Sequence, residues 1–99
     1  GISFEATLQS SNFTAVADTG YFVDVSSGAV TVTLPASPSA GEKVHIIDVA
    51  ENSNTNNITV GRNGNNIAGT ADDMTVATNG AGFTLIYSNA TYGWVLMHK

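Results

Sequence analysis

Apolar and polar residues alternate along most of this chain, with the two-residue period of a half-buried β-strand. In the clearest example Val30, Val32 and Leu34 share one face, and two threonines share the other. The same pattern, interrupted by clusters of Gly, Ser, Asn, Asp and Pro, predicts strands over residues 2–8, 13–17, 21–25, 29–34, 43–49, 58–60, 74–76, 83–87 and 94–98. Helix-favouring residues are scarce, so the pattern predicts an all-β chain.

Two of the intervening segments carry specific signals. Asn63-Gly64 follows the strand at 58–60, and because both residues tolerate positive φ it predicts a hairpin that continues into residues 65–69. Residues 51–57 are polar and rich in asparagine, which predicts an exposed loop. Residues 58–64 and 74–80 also resemble each other, and we interpret them as two similar strand-turn units.

The last two predicted strands are apolar on both faces. Ile86 faces away from Leu85 on one strand, and Val95 and Met97 face away from Trp94 on the other. Strands of this kind are buried on both sides, and a chain of 99 residues has little room to cover both. We therefore predict that a second copy covers one side, with Ile86, Val95 and Met97 at the oligomer interface.

Charge excludes several classes of partner. Charged residues make up only 11% of the chain, compared with about a quarter in ordinary soluble domains. The net charge is −5, so there is no basic surface for nucleic acid or for an anionic membrane. No apolar run approaches the length that spans a bilayer. The chain has no cysteine, which excludes disulfides and thiolate metal sites and leaves oligomer contacts as the expected source of extra stability.

The residues that could carry catalysis form no recognisable constellation. No Gly-x-Ser-x-Gly elbow is present to position a serine nucleophile. We predict that His45 is a half-exposed cross-strand residue and that His98 is a solvated terminal residue. Asp72 and Asp73 are the one adjacent carboxylate pair, which leaves a calcium site open there, although a solvated loop is the simpler interpretation. We predict no catalytic residue, no metal ligand and no cofactor.

Binding of an uncharged polar partner suits the composition better. Thr, Asn and Ser supply much of the expected surface, and such side chains match glycans. Tyr92, Asn89 and Asn63 lie on predicted turns and are the candidate glycan contacts. Trp94 lies beside further apolar residues and is predicted to pack in the core.

Three segments, in order, resemble a module that recurs in the tail fibres and head fibres of tailed bacteriophages. They are VTVTLPASPSAGEKV at residues 30–44, NITVGRNGNNI at 57–67 and LIYSNATYGW at 85–94. The family pattern is an aromatic-led strand, a Thr/Val strand ending in Leu-Pro, a Gly-acid-x-Val turn, an Asn-Gly hairpin and a closing Gly-Trp strand. The resemblance runs from Tyr21 to Trp94, and residues 1–20 lie outside it.

The resemblance implies a compact β-sandwich within homotrimeric fibres on the virion, and no catalytic residues. Together with the strand pattern it predicts a small antiparallel β-sandwich of jelly-roll type that assembles as a homotrimer. Within this single domain, residues 1–20 form an N-terminal strand or arm segment and residues 21–99 form the sandwich module.

The predicted function is that of a phage surface fibre or capsid decoration module at the virion surface or outside the cell. Its expected partners are copies of itself and other virion proteins, with attachment to host-surface glycans as an additional role. Two alternatives stay open. One is a carbohydrate-binding module of a non-viral surface protein, and the weaker one is an enzyme such as a depolymerase that uses Asp72 or Asp73.

Overall fold

Every regular element of the described chain is a β-strand. The computed structural model describes residues 2–97, which form nine strands and no helix. In chain order they are β1 (Ser3–Phe4), β2 (Phe13–Thr14), β3 (Thr19–Val23), β4 (Val30–Thr33), β5 (Lys43–Asp48), β6 (Ile58–Gly61), β7 (Met74–Val76), β8 (Gly82–Tyr87) and β9 (Trp94–Met97). The all-β prediction is confirmed, and each predicted strand has a counterpart. The prediction for His98 lies outside the described residues.

The strands form two sheets, and the chain passes back and forth between them. Sheet A has the order β1-β3-β5-β8-β9, and sheet B has the order β2-β4-β6-β7. From β1 to β6, successive strands alternate between the sheets, and each of the strands β1 to β4 pairs in parallel with the strand two positions later in the chain. The pairs β5–β8, β6–β7 and β8–β9 are antiparallel.

The sheets are therefore mixed rather than antiparallel, and their winding differs from the predicted jelly-roll type, which is built from antiparallel strands. Turn residues indicate where the chain changes direction, but they do not indicate whether the next strand pairs with the previous one or crosses to the opposite sheet. In the first two thirds of the strands it crosses each time. The N-terminal segment belongs to the same arrangement, because β1 and β2 are edge strands of sheets A and B.

The core lies between the sheets and is built mainly from the inward faces of the strands β3 to β9. Fully buried inward side chains include Val23, Val44, Ile46 and Leu85 of sheet A and Val30, Val32, Ile58 and Val60 of sheet B. β-Branched side chains of this kind pack well on pleated surfaces. Trp94 is fully buried and packs edge-on against Tyr87, with 5.4 Å between ring centroids, so the prediction that it lies in the core is confirmed.

The asparagine-rich segment 51–57 is a loop, as predicted, but it is not exposed along its whole length. Ser53 is fully buried, and its N–H donates to Oδ2 of the buried Asp48 at 2.9 Å. The N–H of Gly80 donates to the same oxygen at 3.0 Å. Burial raises the pKa of Asp48, but these hydrogen bonds lower it by more, so the net pKa lies below its ordinary value of 3.8. A single carboxylate thus ties this segment to the turn before β8.

The Asn-Gly turn forms as predicted, but the hairpin does not. Asn63 and Gly64 have φ values of 50° and 86°, and the N–H of Asn65 donates to the carbonyl of Arg62 at 3.2 Å. The strand that pairs antiparallel with β6 is β7, not residues 65–69. Ile67 instead bridges to Thr70 and Trp94, so the chain leaves the sheet after the turn.

The outward face of sheet B is a uniform polar surface. Thr31, Thr59 and Thr75 are successive cross-strand partners on β4, β6 and β7, and Thr14 and Thr33 form a second row beside them.

No helix in the described range is long and apolar enough to cross a membrane.

Candidate functional site

The outward face of sheet A is mostly apolar, unlike that of sheet B. Because side chains alternate along a strand, the residues between the buried positions project from this face. They include Phe4, Phe22, His45, Ile47, Thr84, Ile86, Val95 and Met97. No outward position of the described strands of sheet A carries an acidic side chain, and Lys43 supplies a cation. We treat this surface, called the sheet A face below, as the candidate site.

The three residues predicted at an oligomer interface lie together on the sheet A face. Ile86 and Val95 are cross-strand partners on β8 and β9, and Met97 lies opposite Thr84 on the same face. Met97 is 49% exposed, and Ile86 and Val95 are half-buried. The structure therefore places apolar side chains next to one another at an open surface, and their role as an interface stays a prediction.

Sequence reasoning missed an aromatic cluster at the other side of the face. Phe4 lies over Gly20, its partner on β3, and a Cβ atom added at Gly20 would come within 2.6 Å of the Phe4 ring. The Phe4 ring centroid is 5.0 Å from that of Phe22 and 5.8 Å from that of His45. The available signal was Gly20 itself, since a glycine beside strand residues can mark a close approach. Gly20 lies one residue before the strand that alternation predicts over residues 21–25.

His45 adds a polar group to this face without adding charge at neutral pH. Its Nδ1 is 2.6 Å from the Thr84 hydroxyl oxygen. Burial lowers the pKa of His45 below its ordinary value of 6.5, and the nearby Lys43 ammonium lowers it further. A surface depression of about 500 Å³ opens beside it and is lined by Ile2, Asp18, Gly41, Lys43, His45 and Met97.

The predicted glycan contacts are only partly available. The Asn89 Oδ1 accepts hydrogen bonds from the backbone N–H groups of Thr91 at 3.0 Å and Tyr92 at 2.8 Å, which closes the turn. The Asn63 Nδ2 donates to the carbonyl of Leu34 at 3.0 Å, at the end of β4. Tyr92 is 60% exposed and projects from the same turn as Asn89. All three residues are exposed, but Asn89 and Asn63 already use polar side-chain atoms in these contacts within the fold.

The acidic pair occupies a loop and contributes to its folding. The Asp73 Oδ1 accepts a hydrogen bond from the Arg62 N–H at 2.9 Å, and Asp72 is exposed. Within residues 2–97, no group of three His, Asp or Glu side chains is placed so that it could hold a metal ion. The structure therefore adds no further ligand to Asp72 and Asp73.

Comparison with protein-family models gives no match, and comparison with curated proteins gives no significant match.

Proposed function

We propose that this chain is a structural module of a bacteriophage virion appendage, either a surface fibre or a capsid decoration protein, that assembles with copies of itself through the sheet A face. The observation that carries the proposal is the contrast between the two outward faces. A two-layer β-domain that works alone presents polar residues on both of them. Here the sheet B face is threonine-rich, whereas the sheet A face presents Phe4, Phe22, Ile86, Val95 and Met97.

The strand positions of this face are compatible with a second copy as the partner, despite the net charge of the chain. Each chain carries a net charge of −5, so copies repel one another at long range. The outward strand positions of sheet A contribute no carboxylate, and His45 is neutral at pH 7 because its pKa is lowered. Packing two such faces together therefore buries apolar strand positions, and the carboxylate that lines the depression on this side, Asp18, lies there with Lys43 and His45.

The sequence pattern supports the virion setting and the number of copies. Residues 30–44, 57–67 and 85–94 resemble the phage module, and that family implies homotrimeric fibres. Under this proposal, Ile86, Val95 and Met97 pack near the threefold axis. The neighbouring genes test the virion setting, since phage tail or capsid genes would support it and unrelated metabolic genes would contradict it.

A pair of matched variants tests the assembly surface. Ile86→Asp places a charge on the sheet A face, and Thr59→Asp places one on the sheet B face. We expect Ile86→Asp to weaken assembly by about thirtyfold or more, the effect of losing about 2 kcal/mol at a buried contact. Thr59→Asp should leave the mass of the assembly unchanged. If sedimentation shows that both variants form assemblies of the same mass as the unmodified protein, the surface assignment is refuted.

A second candidate function, carbohydrate binding, is favoured by one observation, the exposure of Tyr92. An exposed aromatic ring on a turn can stack on the apolar face of a sugar. A glycan array should then give signals that Tyr92→Ala abolishes. An array without signal, or signals that survive this substitution, would remove the candidate.

A further inference from the structure

The first described residues form an edge segment that is attached to β3 by main-chain hydrogen bonds and leaves most of its side chains exposed. We call residues 2–9 the N-terminal arm. Its apolar side chains face the surface, with Phe4 42% and Leu8 49% exposed. It runs along the free edge of β3, where the Glu5 N–H donates to the Gly20 carbonyl at 2.8 Å and the Gln9 N–H donates to the Phe22 carbonyl at 2.9 Å.

The arm is nevertheless docked specifically, through one aromatic ring. Gly20, Phe22 and His45 form a cradle in which the Phe4 ring lies. The cradle requires glycine at position 20, because a Cβ atom would occupy the space of the ring. Main-chain hydrogen bonds together with a pocket for one side chain are the two components by which an extended peptide adds to a sheet edge.

A short polar link joins this arm to a fixed part of the fold. Ser10, Ser11 and Asn12 are exposed. Phe13 then pairs with Val32 and packs on Tyr21, with 4.8 Å between ring centroids. An edge element on an exposed link can leave its own body and dock on an identical body, where it makes the same contacts again.

We propose that, in the assembly, the arm of each copy docks on β3 and the Phe4 cradle of a neighbouring copy. The inference rests on the proposed self-assembly and names the segment that crosses between copies. Continuity with the assembly surface supports it, because the cradle lies on the sheet A face. Ile2 of the arm and Met97 of the predicted interface also line one depression. A neighbour packed on that face therefore meets the arm.

Two single-cysteine variants test the exchange. Ser3 and Thr19 are cross-strand partners, within the Cα separation that a disulfide spans, and the chain has no cysteine of its own. Chains carrying Ser3→Cys and chains carrying Thr19→Cys are mixed while unfolded, refolded together and oxidised. We expect a disulfide between the two kinds of chain, seen as a band of doubled mass that reduction removes. Adding Phe4→Ala to the Ser3→Cys chain should lower the yield of the doubled band several-fold, because the arm then lacks the ring that lies in the cradle.

A second pair of variants controls for random contact. Thr59 and Thr75 are partners on β6 and β7 of sheet B, where no exchange is proposed. Chains carrying Thr59→Cys and chains carrying Thr75→Cys, mixed in the same way, should give no doubled band.

The outcomes separate this inference from the function on which it rests. A third chain carries both Ser3→Cys and Thr19→Cys. If the protein is multimeric, the mixed single variants give no doubled band and this double variant forms a disulfide within one chain, arm exchange is overturned. Self-assembly would be left intact by that result. A monomeric mass would refute self-assembly and arm exchange together. A doubled band equal to that of the Thr59→Cys and Thr75→Cys control would also overturn the exchange.

Discussion

At the scale of single residues, Gly93 has the strictest steric requirement. Its φ is 68°, and a Cβ atom there would overlap the carbonyl of Asn66. The close approach lets the Trp94 N–H donate to that carbonyl at 2.8 Å, which joins the turn before β9 to the loop after β6. We expect Gly93→Ala to lower the free energy of unfolding by about 3 kcal/mol or more, because both the positive φ and the overlap oppose it.

Gly64→Ala is the matched control for that substitution. Gly64 also has a positive φ, 86°, but no atom lies within 4 Å of an added Cβ. Only the conformational penalty of about 1–2 kcal/mol applies. Urea denaturation should therefore show a clearly larger loss for Gly93→Ala, and equal losses would contradict the packing described here.

Asp48 makes stability depend on pH. Its folded-state pKa lies below 3.8, so its contribution is present above the pKa of the unfolded chain and disappears as pH falls through the folded-state value. Asp48→Asn should lower the free energy of unfolding at pH 7 by about 1.5–3 kcal/mol, because it removes charge-assisted hydrogen bonds. The difference between Asp48→Asn and the unmodified chain should shrink as pH falls below 3.8. Denaturation curves with a constant difference from pH 7 downward would refute this role.

At the scale of strands, alternation located the elements but not their partners. Residues 30–32, 58–60 and 74–76 are three similar triplets, VTV, ITV and MTV, and each was correctly predicted as a strand. They become neighbours in sheet B, with β4 parallel and β7 antiparallel to β6. Pairing depends on the length and path of the connections. The separation along the chain between paired residues differs from one pair of strands to the next. Ser3 of β1 pairs with Thr19 of β3, and Thr19 in turn pairs with the more distant Val44 of β5.

The candidate site shows the same division between local and long-range information. Ile86, Val95 and Met97 were found because alternation is local, and β8 and β9 are adjacent in the chain. The Phe4 cradle was missed because it joins β1, β3 and β5, which are far apart in the sequence. Alternation alone places Asp48 on the inward face with Val44 and Ile46, but the donors that satisfy its carboxylate there include Gly80, which lies on a distant turn.

The cradle yields a prediction at this scale. Gly20→Ala should displace the arm, because the new methyl group would collide with the Phe4 ring. We expect faster hydrogen exchange at the Glu5 and Gln9 amides and unchanged exchange in β5 and β8. Gly82→Ala is the matched control on the same face, since its Cβ would meet only Ile47, at an ordinary 3.7 Å. Equal exchange in the two variants would show that Gly20 does not hold the arm.

At the scale of the whole molecule, the low charge, the small size and the absence of cysteine are all consistent with a domain that gains stability by self-assembly. The chain winds between two sheets around a core of buried valines, isoleucines and leucines. One outward face is covered with threonine, and the other presents aromatic and aliphatic side chains. Self-assembly would bury the second face and supply stability that a disulfide or a metal ion supplies in other small domains.

The most direct test of self-assembly is the mass of the unmodified chain in solution, measured by light scattering at micromolar concentration and neutral pH. We predict a mass of about three times the 10.2 kDa of one chain. A single species of 10.2 kDa at every concentration reached would contradict the account.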